Sequence, residues 1–181
     1  EKPFLWVKKN KEWISLNWNE TSLKVKEFAG GLRSLGIKPG DKVVIVSENR
    51  PEWIIADLAI TLIGAITVPA YTTNTEDDHH YILEHSDAKA VIASNNILAN
   101  RVALATTRTK LCKLLITLDN YSGFEPDNLK IINFNEVNDF GKNNIETALD
   151  HLNQIQSDDV SCIIYTSGTG GRPKGVMLTH R

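Results

Sequence analysis

Apolar residues change their spacing several times along the chain, and each change marks an element. In "FLWVKKNKEWISLNW" (4–18) two short β-forming runs flank a polar Lys-Asn-Lys-Glu turn, which predicts a hairpin. Leu23, Phe28, Leu32 and Leu35 then recur at near-helical intervals, predicting a helix capped by Asn19 and closed by Gly36. After a Pro-Gly turn, "KVVIV" is an unbroken β-branched run, the pattern of a strand covered on both faces. Pro51 suits the first turn of a helix that continues through Trp53, Leu58 and Leu62 to about Gly64. "AITVPAY" (65–71) predicts a second buried strand, ended by Pro69.

Thr75 and Asp78 have capping spacing, and acids fill the first turn of the helix they open. "AKAVIAS" (88–94) predicts a strand and "NILANRVALATTR" (96–108) a helix. "KLLITLD" and "KIINF" follow as strands on either side of a polar connection at 119–128. Then come a helix over "NNIETALDHL" (143–152) and a strand over "VSCIIYTS" (160–167). This alternation predicts an α/β fold: a largely parallel sheet with helices on both faces, behind an N-terminal β-hairpin. It divides the chain into a hairpin (1–18), an α/β region (19–162) and a glycine-rich loop with flanking strands (163–181).

Composition narrows the function classes without choosing among them. With 20 basic and 22 acidic residues, a net charge of −2 and no basic stripe, nothing points to nucleic acid. The apolar segment 53–71 is interrupted by Asp57, Gly64, Thr67 and Pro69, so it reads as a buried helix feeding a strand rather than a membrane span. Cys112 and Cys162 lie in apolar runs and are expected to be buried free thiols in a reducing cytosol. The chain opens without a signal peptide and without Met, so it is expected to be part of a longer or processed polypeptide.

The chemistry concentrates in "IIYTSGTGGRPKGVMLTHR" (163–181). A strand empties into Thr166-Ser167-Gly168-Thr169-Gly170-Gly171, and ligands of open α/β sheets bind beyond such strand ends. Gly168, Gly170, Gly171 and Gly175 let backbone N–H groups approach an anion, since no Cβ intervenes. Thr166, Ser167 and Thr169 add hydroxyl donors, and Lys174 adds a full positive charge. The loop is not a Walker sequence, because Lys174 lies between Pro173 and Gly175. It is not the dinucleotide fingerprint either, because Pro173 falls on the third glycine position and a strand follows.

"YTSGTGGRPKGVMLTH" resembles the signature loop of the adenylate-forming superfamily, which includes acyl-CoA synthetases, peptide-synthetase adenylation domains and luciferases. Residues 165–176 match its usual run with one departure, Gly170 in place of Thr. That departure removes a hydroxyl and keeps a backbone N–H. Residues 28–94 also resemble the family's amino-terminal region, in the style of long-chain fatty-acid CoA ligases. The resemblance implies a two-step reaction: an acid and ATP give an acyl-adenylate and pyrophosphate, and CoA then displaces AMP. It implies that Thr166, Ser167, Gly168, Thr169, Gly171 and Lys174 contact the β- and γ-phosphates, with Gly170 and Gly175 completing the set. ATP, Mg2+ and CoA are the implied cofactors of the parent enzyme.

The family's adenine-binding segment, magnesium-linked acid, ribose-binding aspartate, hinge and mobile-domain lysine all lie beyond Arg181. No catalytic residue is therefore expected within this chain, which is expected to be inactive alone. Its parent is expected in the cytoplasm, with peripheral membrane contact compatible. The face left by the missing part is expected to be apolar and prone to self-association. Two rivals remain open: an adenylating enzyme that loads a carrier protein, and a non-catalytic relative that binds nucleotide or a partner.

Other residues carry weaker signals. His79, His80 and His85 lack metal-ligand spacing and are expected at the surface, so no metal site is assigned. Trp6, Trp13, Trp18 and Trp53 are expected in core or hairpin packing. Asp77, Asp78, Asp158 and Asp159 read as helix-start and loop charges. Arg172 is placed equally by phosphate contact and by solvent.

Overall fold

The computed structural model describes residues 2–167 and 171–181. Strands β1 (Pro3–Lys9) and β2 (Glu12–Asn17) pair antiparallel about Asn10 and Lys11. Both turn residues have positive φ, the conformation whose twist matches that of the flanking strands. Then follow α1 (Trp18–Ser34), β3 (Lys42–Val46), α2 (Pro51–Leu62), β4 (Ile66–Ala70), α3 (Glu76–His85), β5 (Ala88–Ala93) and α4 (Asn96–Thr106). The remainder comprises β6 (Leu114–Thr117), β7 (Lys130–Asn133), α5 (Phe134–Lys142), α6 (Ile145–Leu149), β8 (Val160–Thr166) and β9 (Lys174–Thr179).

Seven strands form one sheet in the order β7-β6-β5-β3-β4-β8-β9. Every neighbouring pair is parallel except β8 and β9, which form an antiparallel hairpin. Alternation on β3 divides the core between the two faces. Val43 and Ile45 join the layer beneath α1, α2 and α5, whereas Val44 and Val46 join the layer beneath α3 and α4. Phe28 of α1 stacks on Phe134 of α5 with ring centroids 4.3 Å apart. Fully burying a side chain of this size contributes about 2 kcal/mol, so both helical layers hold the sheet strongly.

Several local expectations need correction. The cap of α1 is Asn17, not Asn19: its side chain accepts the Glu20 N–H at 2.9 Å, and the Glu20 carboxylate accepts the Asn17 N–H at 2.8 Å. Gly36 does close that helix, with φ +89°. Pro69 lies inside β4, opposite Ile45, and does not end the strand. Pairing of β4 with β8 occurs at Thr67 and Cys162, before the proline and its missing N–H. The helix expected over 143–152 is only α6 followed by a single 3-10 turn at Leu152–Gln154.

Helix α5 was not anticipated. Its signal was the Asn133/Glu136 capping box, with Phe134, Val137 and Gly141 buried on one face.

Candidate functional site

The glycine-rich loop joins β8 to β9 at the carboxyl end of β8, two strands from the sheet centre. Thr166 is the last residue of β8 and pairs directly with Lys174, the first of β9. Directly opposed residues share a face with Cβ atoms about 5 Å apart. A hydroxyl and an ammonium, both exposed, are thus presented side by side where the loop opens. Ser167 is exposed next to them, and Gly171 has φ +120° with open space around it. Gly168, Thr169 and Gly170 lie outside the described residues. Gly175 packs closely instead: a Cβ there would come 2.9 Å from Ile163 Cγ2 and 3.4 Å from the Tyr165 ring.

The returning arm of the loop rests on α3, which sequence reasoning did not single out. The Tyr81 hydroxyl donates to the Pro173 carbonyl at 2.8 Å, and the Arg172 guanidinium lies 5.1 Å from the centre of the Tyr81 ring. Arg172 therefore has a stacking partner, an outcome absent from the sequence expectation. His85 Nδ1 is 2.7 Å from the Tyr165 hydroxyl, a hydrogen bond whose direction follows the imidazole tautomer. Burial, and then the neighbouring Tyr81, push the Tyr165 phenol up to about 12. Tyr81 and His85 are one helical turn apart, which brings both against Tyr165.

A second polar group was also missed, at the carboxyl ends of β3, β5 and β6. The helices that follow β3 and β5 pack on opposite faces of the sheet, which opens a crevice between these strands. There Glu48 accepts hydrogen bonds from the Ser94 hydroxyl and the Asn95 amide. Burial alone would raise the Glu48 carboxyl, but these bonds and the charge of Arg50 bring it below its ordinary value. Arg50 pairs with Glu52 at 2.9 Å and with Asp119 at 3.1 Å, and donates to the Ser94 carbonyl. Its guanidinium is raised, first by the Glu52 hydrogen bond. The crevice is thus laced shut by its own charges.

The other candidates resolve individually. His79 is buried at 1% exposure, against expectation, because it lies on the core face of α3 beside Ile82 and Leu83. His85 is exposed. Trp6, Trp13 and Trp18 are more than half exposed, so three of the four tryptophans are not core residues. Trp18 stacks on Phe4 at 3.7 Å, Lys8 lies over Trp13, and Trp53 packs against the core from its edge. Cys112 is buried and Cys162 half-buried, both as free thiols. Asp77 and Asp78 lie in the first turn of α3, and Asp158 pairs with Arg181. Among the described residues, no three His, Cys, Asp or Glu side chains converge, and no helix is long and apolar enough to cross a membrane.

Comparison with known proteins places this geometry. The family described as AMP-binding enzyme matches residues 1–181. The long-chain-fatty-acid–CoA ligase FadD15 of Mycobacterium tuberculosis is 33% identical over 169 residues, covering 93% of this chain and 27% of the relative. The chloroplastic long-chain-fatty-acid–[acyl-carrier-protein] ligase AEE15 of Arabidopsis thaliana is 31% identical over 178 residues, covering 93% of this chain and 24% of the relative. The chain thus spans about a quarter of the length of the curated relatives it matches.

Among solved structures, the anthranilate CoA ligase AuaEII with anthranoyl-AMP superposes with a TM-score of 0.76 at 21% identity, over 92% of this chain and 30% of that one. The A-PCP didomain of the carboxylic acid reductase from Segniliparus rugosus, with AMP, gives a TM-score of 0.79 at 19% identity, over 98% and 29%. At such identities the superpositions speak for the fold alone, an α/β sheet with helices on both faces behind a hairpin. The family match, by contrast, runs the length of the sequence and includes both arms of the loop, and this chain belongs to the AMP-binding enzyme family.

Proposed function

We propose that this chain forms the front part of an ATP-dependent ligase that activates long-chain fatty acids, and that its loop holds the terminal phosphates of ATP. The observation that carries the proposal is the pairing of Thr166 with Lys174 at the mouth of the loop, both side chains exposed on one face. Hydroxyl, backbone N–H and ammonium donors suit a polyphosphate anion. Mg2+ enters on the triphosphate, whose oxygens are its preferred hard ligands.

In the first half-reaction a carboxylate oxygen attacks the α-phosphorus of ATP. The bond to the bridging oxygen breaks, and pyrophosphate leaves with that electron pair. Lys174, Thr166 and Ser167 neutralise charge growing on the leaving group, an electrostatic stabilisation that requires donors already in place. Gly168, Thr169, Gly170 and Gly171 supply further donors, and Gly175 lets β9 pack against the Tyr165 ring. In the second half-reaction a thiol attacks the acyl carbon and AMP departs. This stretch of sequence does not complete the site alone and is inactive in isolation.

Two relatives differ in the group they load, CoA in one and acyl carrier protein in the other. The first half-reaction is common to both readings, and CoA is the acceptor favoured here. The test is pyrophosphate–ATP isotope exchange by the complete enzyme with a long-chain acid, followed by addition of CoA or acyl carrier protein. Acid-dependent exchange that falls at least 100-fold in Lys174→Ala supports the reading. Absence of exchange with any fatty acid overturns it, and turnover only with carrier protein moves the acceptor to the second reading.

A further inference from the structure

We infer that Tyr81 is a positioning residue for the phosphate loop: it holds the returning arm on α3 and so fixes where Lys174 stands. The inference rests on the phosphate reading of that loop. Three neighbours of Lys174 are held, each by a different contact. Arg172 stacks on the Tyr81 ring at 5.1 Å, and the Pro173 carbonyl accepts from the Tyr81 hydroxyl at 2.8 Å. Gly175 sits so close to the Tyr165 ring and Ile163 that no side chain fits between them.

The platform is itself braced. The Tyr81 ring meets Tyr165 edge-on at 6.1 Å, and the Tyr165 hydroxyl is tied to His85 at 2.7 Å. Tyr81 and His85 both belong to α3, whose start is fixed by the Thr75/Asp78 capping box. Lys174 lies between the held residues with its own side chain exposed.

The physical consequence is preorganisation. An untethered glycine-rich arm must be ordered when the anion binds, at about 1–2 kcal/mol per residue. Tethering at Arg172, Pro173 and Gly175 settles that cost during folding, so the Lys174 ammonium waits where the phosphate arrives. Tyr81 touches the loop backbone and stacks with Arg172, and its role is exerted through Lys174.

Trypsin tests the tether without any ligand, because Lys174–Gly175 is cleavable whereas Arg172–Pro173 is protected by its proline. Tyr81→Phe keeps the ring and loses only the donor, and Tyr81→Leu loses both. The expected result is nicking after Lys174 about fivefold faster in Tyr81→Phe and faster again in Tyr81→Leu, at an unchanged unfolding midpoint for Tyr81→Phe. In the complete enzyme the same variant should bind Mg-pyrophosphate five- to tenfold more weakly, with no change for adenosine, a discrimination that general destabilisation would not produce. Nicking at the wild-type rate in both variants overturns the tether. Faster nicking with unaltered pyrophosphate affinity overturns the positioning role. Wild-type protein that ignores Mg-pyrophosphate sinks the phosphate reading instead, and the nicking rates still decide the tether.

Discussion

Protonation of His79 should make the fold acid-sensitive well above the carboxylate range. Its imidazole is buried on α3, and neither ring nitrogen has a hydrogen-bond partner among the described residues. Burial, and then the positive charge of Arg101, lower its pKa from 6.5 to about 4, while Asp78 opposes them. As pH falls, the unfolded chain takes up this proton first, near 6.5, and the folded chain only near 4. Stability is therefore lost progressively between those values and levels off below them. Each pH unit of separation corresponds to about 1.36 kcal/mol, which makes about 3 kcal/mol over the whole window and about 2 kcal/mol by pH 5.

His79→Leu removes the titration and two unpaired polar atoms at similar volume. It should be the more stable protein by about 1–2 kcal/mol at pH 7.5. Its advantage should widen by about 2 kcal/mol at pH 5, which is about 1 M in urea midpoint. Urea melts of both proteins at half-unit steps from pH 7.5 to 4.5 provide the assay. Glu48 and Glu52, whose carboxyls are lowered, lose their contributions only as pH falls through the carboxylate range, and they cancel in the difference; Asp78, lowered mainly by Thr75, is coupled to His79 and changes with it. A gap between the two proteins that stays constant with pH would refute the assignment.

Three further outcomes follow from packing and charge. Gly141→Ala would drive a Cβ to 1.6 Å from the Glu27 carbonyl oxygen where α5 crosses α1, so it should cost about 3 kcal/mol in a denaturant melt, the upper end for overpacking. Arg50→Ala cuts the ties among the loops after β3, β5 and β6 and should cost about 1–2 kcal/mol, with faster amide exchange at 94–96 and 119–120 as the readout. The Cys112 thiol, pushed up to about 12 by burial, should resist a disulfide reagent in the native protein and react only on unfolding, after Cys162.

Much of the fold was legible because both helical layers leave periodic traces. The buried run of β3, Pro51 at the start of α2 and the Thr75/Asp78 box each followed from local chemistry. Helix α5 escaped because its nine residues place only three on the core face, and its neighbour Gly141 matters through closeness to α1 rather than through any pattern. His79 escaped because a polar residue at a core-facing position contradicts the pattern used to find the core. The tryptophans divide between the two settings expected of them: Trp6, Trp13 and Trp18 lie on or beside the exposed hairpin, and Trp53 packs against the core.

The loop was singled out in the sequence by its glycines, hydroxyls and lysine, and the structure pairs Thr166 with Lys174 at its mouth. The aromatic platform beneath it could not be singled out, because Tyr81 and Pro173 are 92 residues apart in sequence. Nor could the charged crevice, whose members come from three different loops.

The most direct test of the central claim is amide shift mapping of this chain during titration with Mg-ATP. The phosphate-loop account predicts shifts concentrated at 166–175, with smaller ones at Tyr81 and His85, and loss of the loop shifts in Lys174→Ala. Shifts centred on 48–50, 94–95 and 119 instead would move the nucleotide to the crevice between β3 and β5 and contradict the account.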